Sequence, residues 1–190
     1  IVKMLNAVKD WLVYSKGMDA TAPEDYGISL NTTAARVDET TFWNDTAPDS
    51  VNFTLGNTVK VNGSGDDYIA YCFAEKQGYS SMGIYKGNGN ALGAFVYTGF
   101  RPAFILIKRY EASTENWNVY DNKRLGYNVD NDALNPNVAT TGYTTDDIDI
   151  VSNGFKLRTS NSRVNDGDYI YMAFAEAPLV NSEGVPVNAR

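Results

Sequence analysis

The chain has 190 residues, 43% hydrophobic, 21% charged and 13% aromatic, which suits one large or two small domains with a core and excludes a disordered tail. A formal net charge of -7 repels phosphate backbones and anionic lipid surfaces, so nucleic acid is not an expected partner. Histidine is absent, which removes Ser-His-Asp and Cys-His catalysis and His-ligated zinc, and the single cysteine, Cys72, leaves no internal disulfide and no CxxC metal pair.

Taken in chain order, the opening IVKMLNAVKDW carries Lys3, Lys9 and Asp10 and no small-residue cleavage site, so no targeting signal is expected. No run reaches the roughly 18 apolar residues of a membrane helix, and no membrane insertion is expected. A first aromatic and β-branched run follows at Trp11 to Tyr14. Residues 32–41, short and Thr-rich, are the one stretch that could form a helix. Tyr68 to Glu75 alternates Ile69, Tyr71 and Phe73 with Tyr68, Ala70, Cys72 and Ala74. Both faces are apolar, which predicts a central strand with Phe73 in a core and small residues opposite admitting a close layer.

Further strand runs lie at Ile84 to Tyr85, Phe95 to Tyr97, Phe104 to Ile107, Trp117 to Tyr120, Ile148 to Val151, Gly154 to Leu157 and Tyr169 to Glu176, the last with Phe174 in the place of Phe73. Gly and Asn-rich turns separate them. Ser152-Asn153-Gly154, between two of the runs, predicts a hairpin with a type I′ turn, because Asn-Gly takes positive φ readily. From Val180 the tail NSEGVPVNAR lacks an apolar period and is expected to hang free or pack on a neighbouring subunit.

The chain also repeats. Asp67, Tyr68, Ile69, Phe73, Ala74 and Glu75 recur as Asp168, Tyr169, Ile170, Phe174, Ala175 and Glu176. Val61-Asn62 recurs as Val164-Asn165, and Trp11-Leu-Val-Tyr14 answers Trp117-Asn-Val-Tyr120. Repeat one spans residues 1–76, a connecting hairpin 77–98, repeat two 99–178 and a tail 179–190. The expected fold is all-β: two tandem related β-sandwich-like repeats sharing a packed interface, or one continuous larger sandwich. Repeat two opens on GFRPAFILIKR where repeat one has only Ile1-Val2-Lys3, so the natural polypeptide is expected to continue N-terminally.

Several residue groups are candidate sites. Trp11 and Trp117 hold matching repeat positions and read as core tryptophans rather than sugar-stacking platforms. Trp43 has no indole counterpart in repeat two, and Asn44 and Asp45 beside it could hydrogen-bond sugar hydroxyls, which makes these three residues the candidate glycan contact. Asp66-Asp67, Asp130-Asn131-Asp132, Asp146-Asp147 and Asp166 with Asp168 offer the oxygen ligands calcium prefers, yet none matches an EF-hand loop, and Asp and Asn favour turns for local reasons. No cofactor or metal site is therefore expected, calcium being the one ion that these turns could hold. Glu75 and Glu176 could be paired carboxylates of a glycosidase, but their equivalent repeat positions favour a shared structural role. The GSG and GNGN stretches lack the strand, helix and Lys-Ser/Thr context of a phosphate loop.

The strings YKGNGNALGAFVYTGFRPAFILIKR, NWNVYD, SNGFKLRTS and YIYMAFAEAP, with LNTTAA, FWNDTAP and DDYIAYCFAE before them, resemble a domain of bacteriophage virion proteins. That domain recurs in tail-fibre and other particle-associated proteins, often C-terminal to a lectin-like sandwich, and the likeness covers nearly the whole chain. The resemblance implies a virion location and a structural or adhesion module with no catalytic residues to carry over. The expected function is the C-terminal module of a tail fibre or capsid appendage that contacts the host surface or its glycans. Expected partners are other virion proteins and copies of itself, in a trimer or other symmetric assembly. The alternatives are a purely architectural decoration protein and, behind both, a polysaccharide depolymerase.

Overall fold

The computed structural model describes residues 1–124, 128, 132–180 and 186–187. The strands are β1 (Val2–Met4), β2 (Leu12–Val13), β3 (Tyr26–Ser29), β4 (Val37–Asp38), β5 (Tyr68–Ala70), β6 (Ser80–Lys86), β7 (Phe95–Tyr97), β8 (Pro102–Arg109), β9 (Asn118–Asp121), β10 (Ile148–Val151), β11 (Gly154–Leu157), β12 (Asp168–Ala175), β13 (Leu179–Val180) and β14 (Pro186–Val187). The fold is all-β, and every strand pairing described is antiparallel. Among the described residues the one helical element is a 3-10 turn at Pro23–Asp25. The helix expected within residues 32–41 does not form. β4 lies there instead, followed by turns, as β-branched Thr-rich sequence favours.

The chain divides into two compact units, Ile1–Phe73 with Tyr110–Thr114, and Ala74–Arg109 with Glu115–Arg190. The segment expected to be a connecting hairpin lies within the second unit. Its two strands do not pair with each other: β6 pairs with β12 and β7 with β11. The second unit is a β-sandwich, with a β6-β12-β8-β9 sheet and a β10-β11-β7 sheet enclosing one core. Ile105, Ile107, Tyr120, Tyr169, Tyr171 and Ala173 come from the first sheet and Val96, Ile148, Ile150, Phe155 and Leu157 from the second. The tyrosine and alanine face of β12 therefore lines the core. Phe174, expected there, is on the opposite face against Tyr79 and Phe104.

The first unit holds a five-stranded sheet in the order β4-β3-β2-β1-β5. Its core is Val2, Leu12, Phe42, Trp43 and Val61, so residues from loops take the place that a second sheet has in the other unit. Gly27 on β3 makes room for this: a Cβ there would stand 2.6 Å from the Phe42 ring. The expected central strand at Tyr68 to Glu75 is here only the three-residue edge strand β5, with Tyr71 42% and Phe73 48% exposed. Its counterpart β12 has eight residues and lies between β6 and β8.

The ladders of the two units match residue by residue. Lys3 stands opposite Ile69 and Lys108 opposite Ile170, while Val2 opposite Leu12 repeats as Ile107 opposite Asn118. Val13 opposite Ile28 and Gly27 opposite Val37 return as the bridges Val119 to Leu134 and Ala133 to Tyr143. Side chains repeat too. The Trp11 amide donates to Asn31 Oδ1 as the Trp117 amide does to Asn137 Oδ1. Asn62 Nδ2 donates to the Gly56 carbonyl as Asn165 Nδ2 does to that of Thr159. The Tyr68 hydroxyl accepts from the Gly63 amide and donates to the Val59 carbonyl; the Tyr169 hydroxyl accepts from the Asp166 amide and donates to the Ser162 carbonyl.

Ser152-Asn153 does connect β10 to β11, with Val151 opposite Gly154. The turn is not type I′, since neither residue has positive φ. The Asn153 carbonyl is engaged by the Thr98 and Gly99 amides, and Gly154 is required for space, because a Cβ there would lie 2.0 Å from the Val96 carbonyl oxygen. In the tail, β13 and β14 pair with each other, and the remainder of it lies outside the described residues.

Candidate functional site

The outer face of the β10-β11-β7 sheet follows directly from strand alternation. Val96 on β7 points into the core at 5% exposure, which turns Phe95 and Tyr97, at 46% and 66%, to the opposite face. Two residues along a strand span about 7 Å, so the two side chains leave the same face of β7 about that far apart. Their cross-strand partners on the same face are Lys156 for Phe95 and Gly154 for Tyr97. Asp149 on β10 lies opposite Lys156. Gly154 is itself buried, and the Phe95 ring lies 3.1 Å from where a Cβ on it would be, so that ring packs over the glycine.

Charged groups rim this face. Arg158 Nε lies 3.1 Å from Asp149 Oδ2, and the Lys156 ammonium donates to the Gly93 carbonyl. Half-exposed rings with a hydrogen-bonding rim can take a ligand that has both apolar and hydroxylated faces. Sequence reading identified Phe95 to Tyr97 as a strand run but not as a site. The available signal was a β-branched residue between two aromatics, which sets both rings on one face.

The predicted glycan contact is arranged differently. Trp43 is 3% exposed, its Nε1 donating to the Tyr26 carbonyl at 2.9 Å and its ring edge-on to Tyr14 at 5.8 Å. Its faces are inside the first unit's core, so the ring is not a stacking platform. Asn44 and Asp45 are exposed, with φ of 56° and 46°. Asn and Asp are the non-glycine residues that best tolerate this left-handed conformation, which accounts for their presence after Trp43. Trp117 is buried at 3%, whereas Trp11 is half-buried and stacked on Tyr71 at 6.2 Å.

Several residues of the acidic turns have partners within the chain. Asp147, 1% exposed, accepts from Arg163 Nε at 2.6 Å, Arg163 Nη2 at 2.8 Å and the Tyr120 hydroxyl at 2.9 Å. Arg163 also lies over the Tyr143 ring at 4.3 Å. Burial, reinforced by the Asp147 carboxylate, pushes the Tyr120 hydroxyl well above its ordinary range, so it remains a donor. Asp66 Oδ1 accepts from Asn6 Nδ2 and Asp168 pairs with Lys86. Asp130 and Asn131 lie outside the described residues, and among the described residues no group of three His, Cys, Asp or Glu could hold a metal ion. Glu176 bonds Asn122 and lies 3.0 Å from Arg101, and Glu75 Oε1 accepts from the Met82 amide. Among the described residues no helix is long and apolar enough to cross a membrane.

The model of a family described as a domain of unknown function, DUF7483, matches residues 1–178. No curated protein and no solved structure matches the chain.

Proposed function

The chain belongs to the DUF7483 family, whose function is unknown, and we propose that it is a bacteriophage virion structural protein, the C-terminal module of a tail fibre or capsid appendage that contacts the host surface or its glycans. The motif resemblance supports the virion setting. The observation that carries the contact role is the Phe95–Tyr97 face, where two rings are held outward by a strand whose middle residue is in the core. On this reading the protein works by contact, not catalysis, and without cofactor.

A shallow aromatic face binds one sugar weakly, so affinity comes from many copies on one particle, as a trimer or other symmetric assembly beside further virion proteins. The test is binding to host cells and to a glycan array by assembled protein, with F95A and Y97A introduced together. At least a ten-fold loss with folding intact is expected. Unchanged adsorption by the double variant would overturn the glycan role. The second reading, a purely architectural decoration protein, is favoured by the exposed apolar residues Val8, Val51 and Tyr71 of the first unit. A particle map with this surface buried against neighbouring virion proteins would select it.

A further inference from the structure

The second unit shows what the first lacks. On the side of β12 away from β8 runs β6, antiparallel, with Tyr85 opposite Tyr169, Gly83 opposite Tyr171 and Ser81 opposite Ala173. The matching residues of the first unit are Tyr68, Ala70 and Cys72. On either side of β5 the Tyr71 amide and the Asp67 carbonyl are turned toward β1, bonded to the Ile1 carbonyl and the Leu5 amide. By the alternation of an antiparallel ladder, Tyr68, Ala70 and Cys72 present their main-chain groups to the other side. No strand pairs with that side of β5 among the described residues.

Burial follows the same contrast. Ala173 is fully buried while Cys72 is exposed. An edge of this kind, flanked by an aromatic at 42% exposure, is a template for strand addition. We propose that the free edge of β5 is the seat of an extended strand with the chemistry of β6, paired with β5 as β6 is paired with β12.

The chemistry of that strand can be read from β6. Tyr85 stacks on Tyr169 at 4.8 Å with 9° between the rings, so an aromatic residue belongs opposite Tyr68. Gly83 is needed because a Cβ would meet the Tyr171 ring at 3.0 Å. Ala70 stands where Tyr171 does, so the position opposite Ala70 accepts a larger residue.

Cys72, the chain's single cysteine, reports on the edge. The experiment compares its alkylation rate and the amide exchange of Tyr68, Ala70 and Cys72 in three samples. These are the 190-residue chain alone, the chain carrying a copy of residues 74–105 joined directly to Ile1, and the chain with millimolar synthetic peptide of residues 77–90. At least a ten-fold slowing of both is expected with the joined copy or, should that copy misfold, with the peptide, and it should be lost when the added strand carries G83P and Y85P. Unchanged rates in both formats, or protection that survives the prolines, would overturn the proposal. Protection that grows with concentration of the chain alone would place a second copy on the edge and overturn it equally.

Discussion

The two units share one ladder and complete it differently. In the second, β6 and β7 come from the segment before β8, one closing the edge of β12 and the other adding a strand to the opposing sheet. In the first, the same register runs from β5 through β1, β2 and β3, yet loop residues Phe42 and Trp43 supply the cover that β10, β11 and β7 provide elsewhere. Backbone pairing, the tyrosine-held turn and the asparagine clamps recur, so they are what this fold requires. The covering layer varies, and with it the material that each core depends on.

The largest expected break in that comparison is D147A. It strands Arg163 and Tyr120 in the second unit and should cost about 3–5 kcal/mol in denaturant unfolding, with native-state hydrogen exchange locating the loss in β9, β10 and their neighbours. W43A should cost about 3 kcal/mol, through lost packing and an unpaired Tyr26 carbonyl, and should loosen β2 and β3 without touching β12. G27A forces the Phe42 ring off β3 and should cost about 1–3 kcal/mol, read by the same unfolding midpoint.

Y68F and Y169F sharpen the comparison instead. Each deletes a hydroxyl that both accepts and donates, so each should cost about 1 kcal/mol, confined to its own unit. Unequal effects would show that the matching turns are not energetically equivalent. The smallest effect is electrostatic. The Thr21 and Ala22 amides, with the Thr21 hydroxyl, hold the partly exposed Asp19 carboxyl at about 2, below its ordinary 3.8. A carboxylate stabilised in the folded state contributes above the higher value and is lost as pH falls through the lower one, so the 19–22 turn should loosen between about pH 4 and pH 2. NMR titration of Asp19 should give a midpoint near 2, and D19N should abolish the transition.

The repeat and the strand content were legible because Tyr-Ile pairs, Val-Asn pairs and alternation are local signals. Edge against centre was not. Tyr68 to Glu75 reads as apolar on both sides, like Tyr169 to Glu176, and only the presence of β6 separates them. The burial of Trp43 was hidden because its hydrogen-bond acceptor, Tyr26, is distant in sequence and carries no motif. Asn44 and Asp45 read as sugar ligands where their residue types serve a left-handed turn. Phe95 and Tyr97 were visible as strand residues, but which side of β7 meets the core is decided by Phe155, its partner across the sheet.

In both units an early strand pairs with a much later one, β1 with β5 and β8 with β12, and β6 reaches across still more sequence to β12. Such closure makes most stabilising contacts non-local, which places the chain among slow folders. During synthesis neither ladder can close until its final tyrosine-bearing strand has left the ribosome, so a nascent chain stalled before Tyr169 would carry β6 and β8 without the strand that joins them.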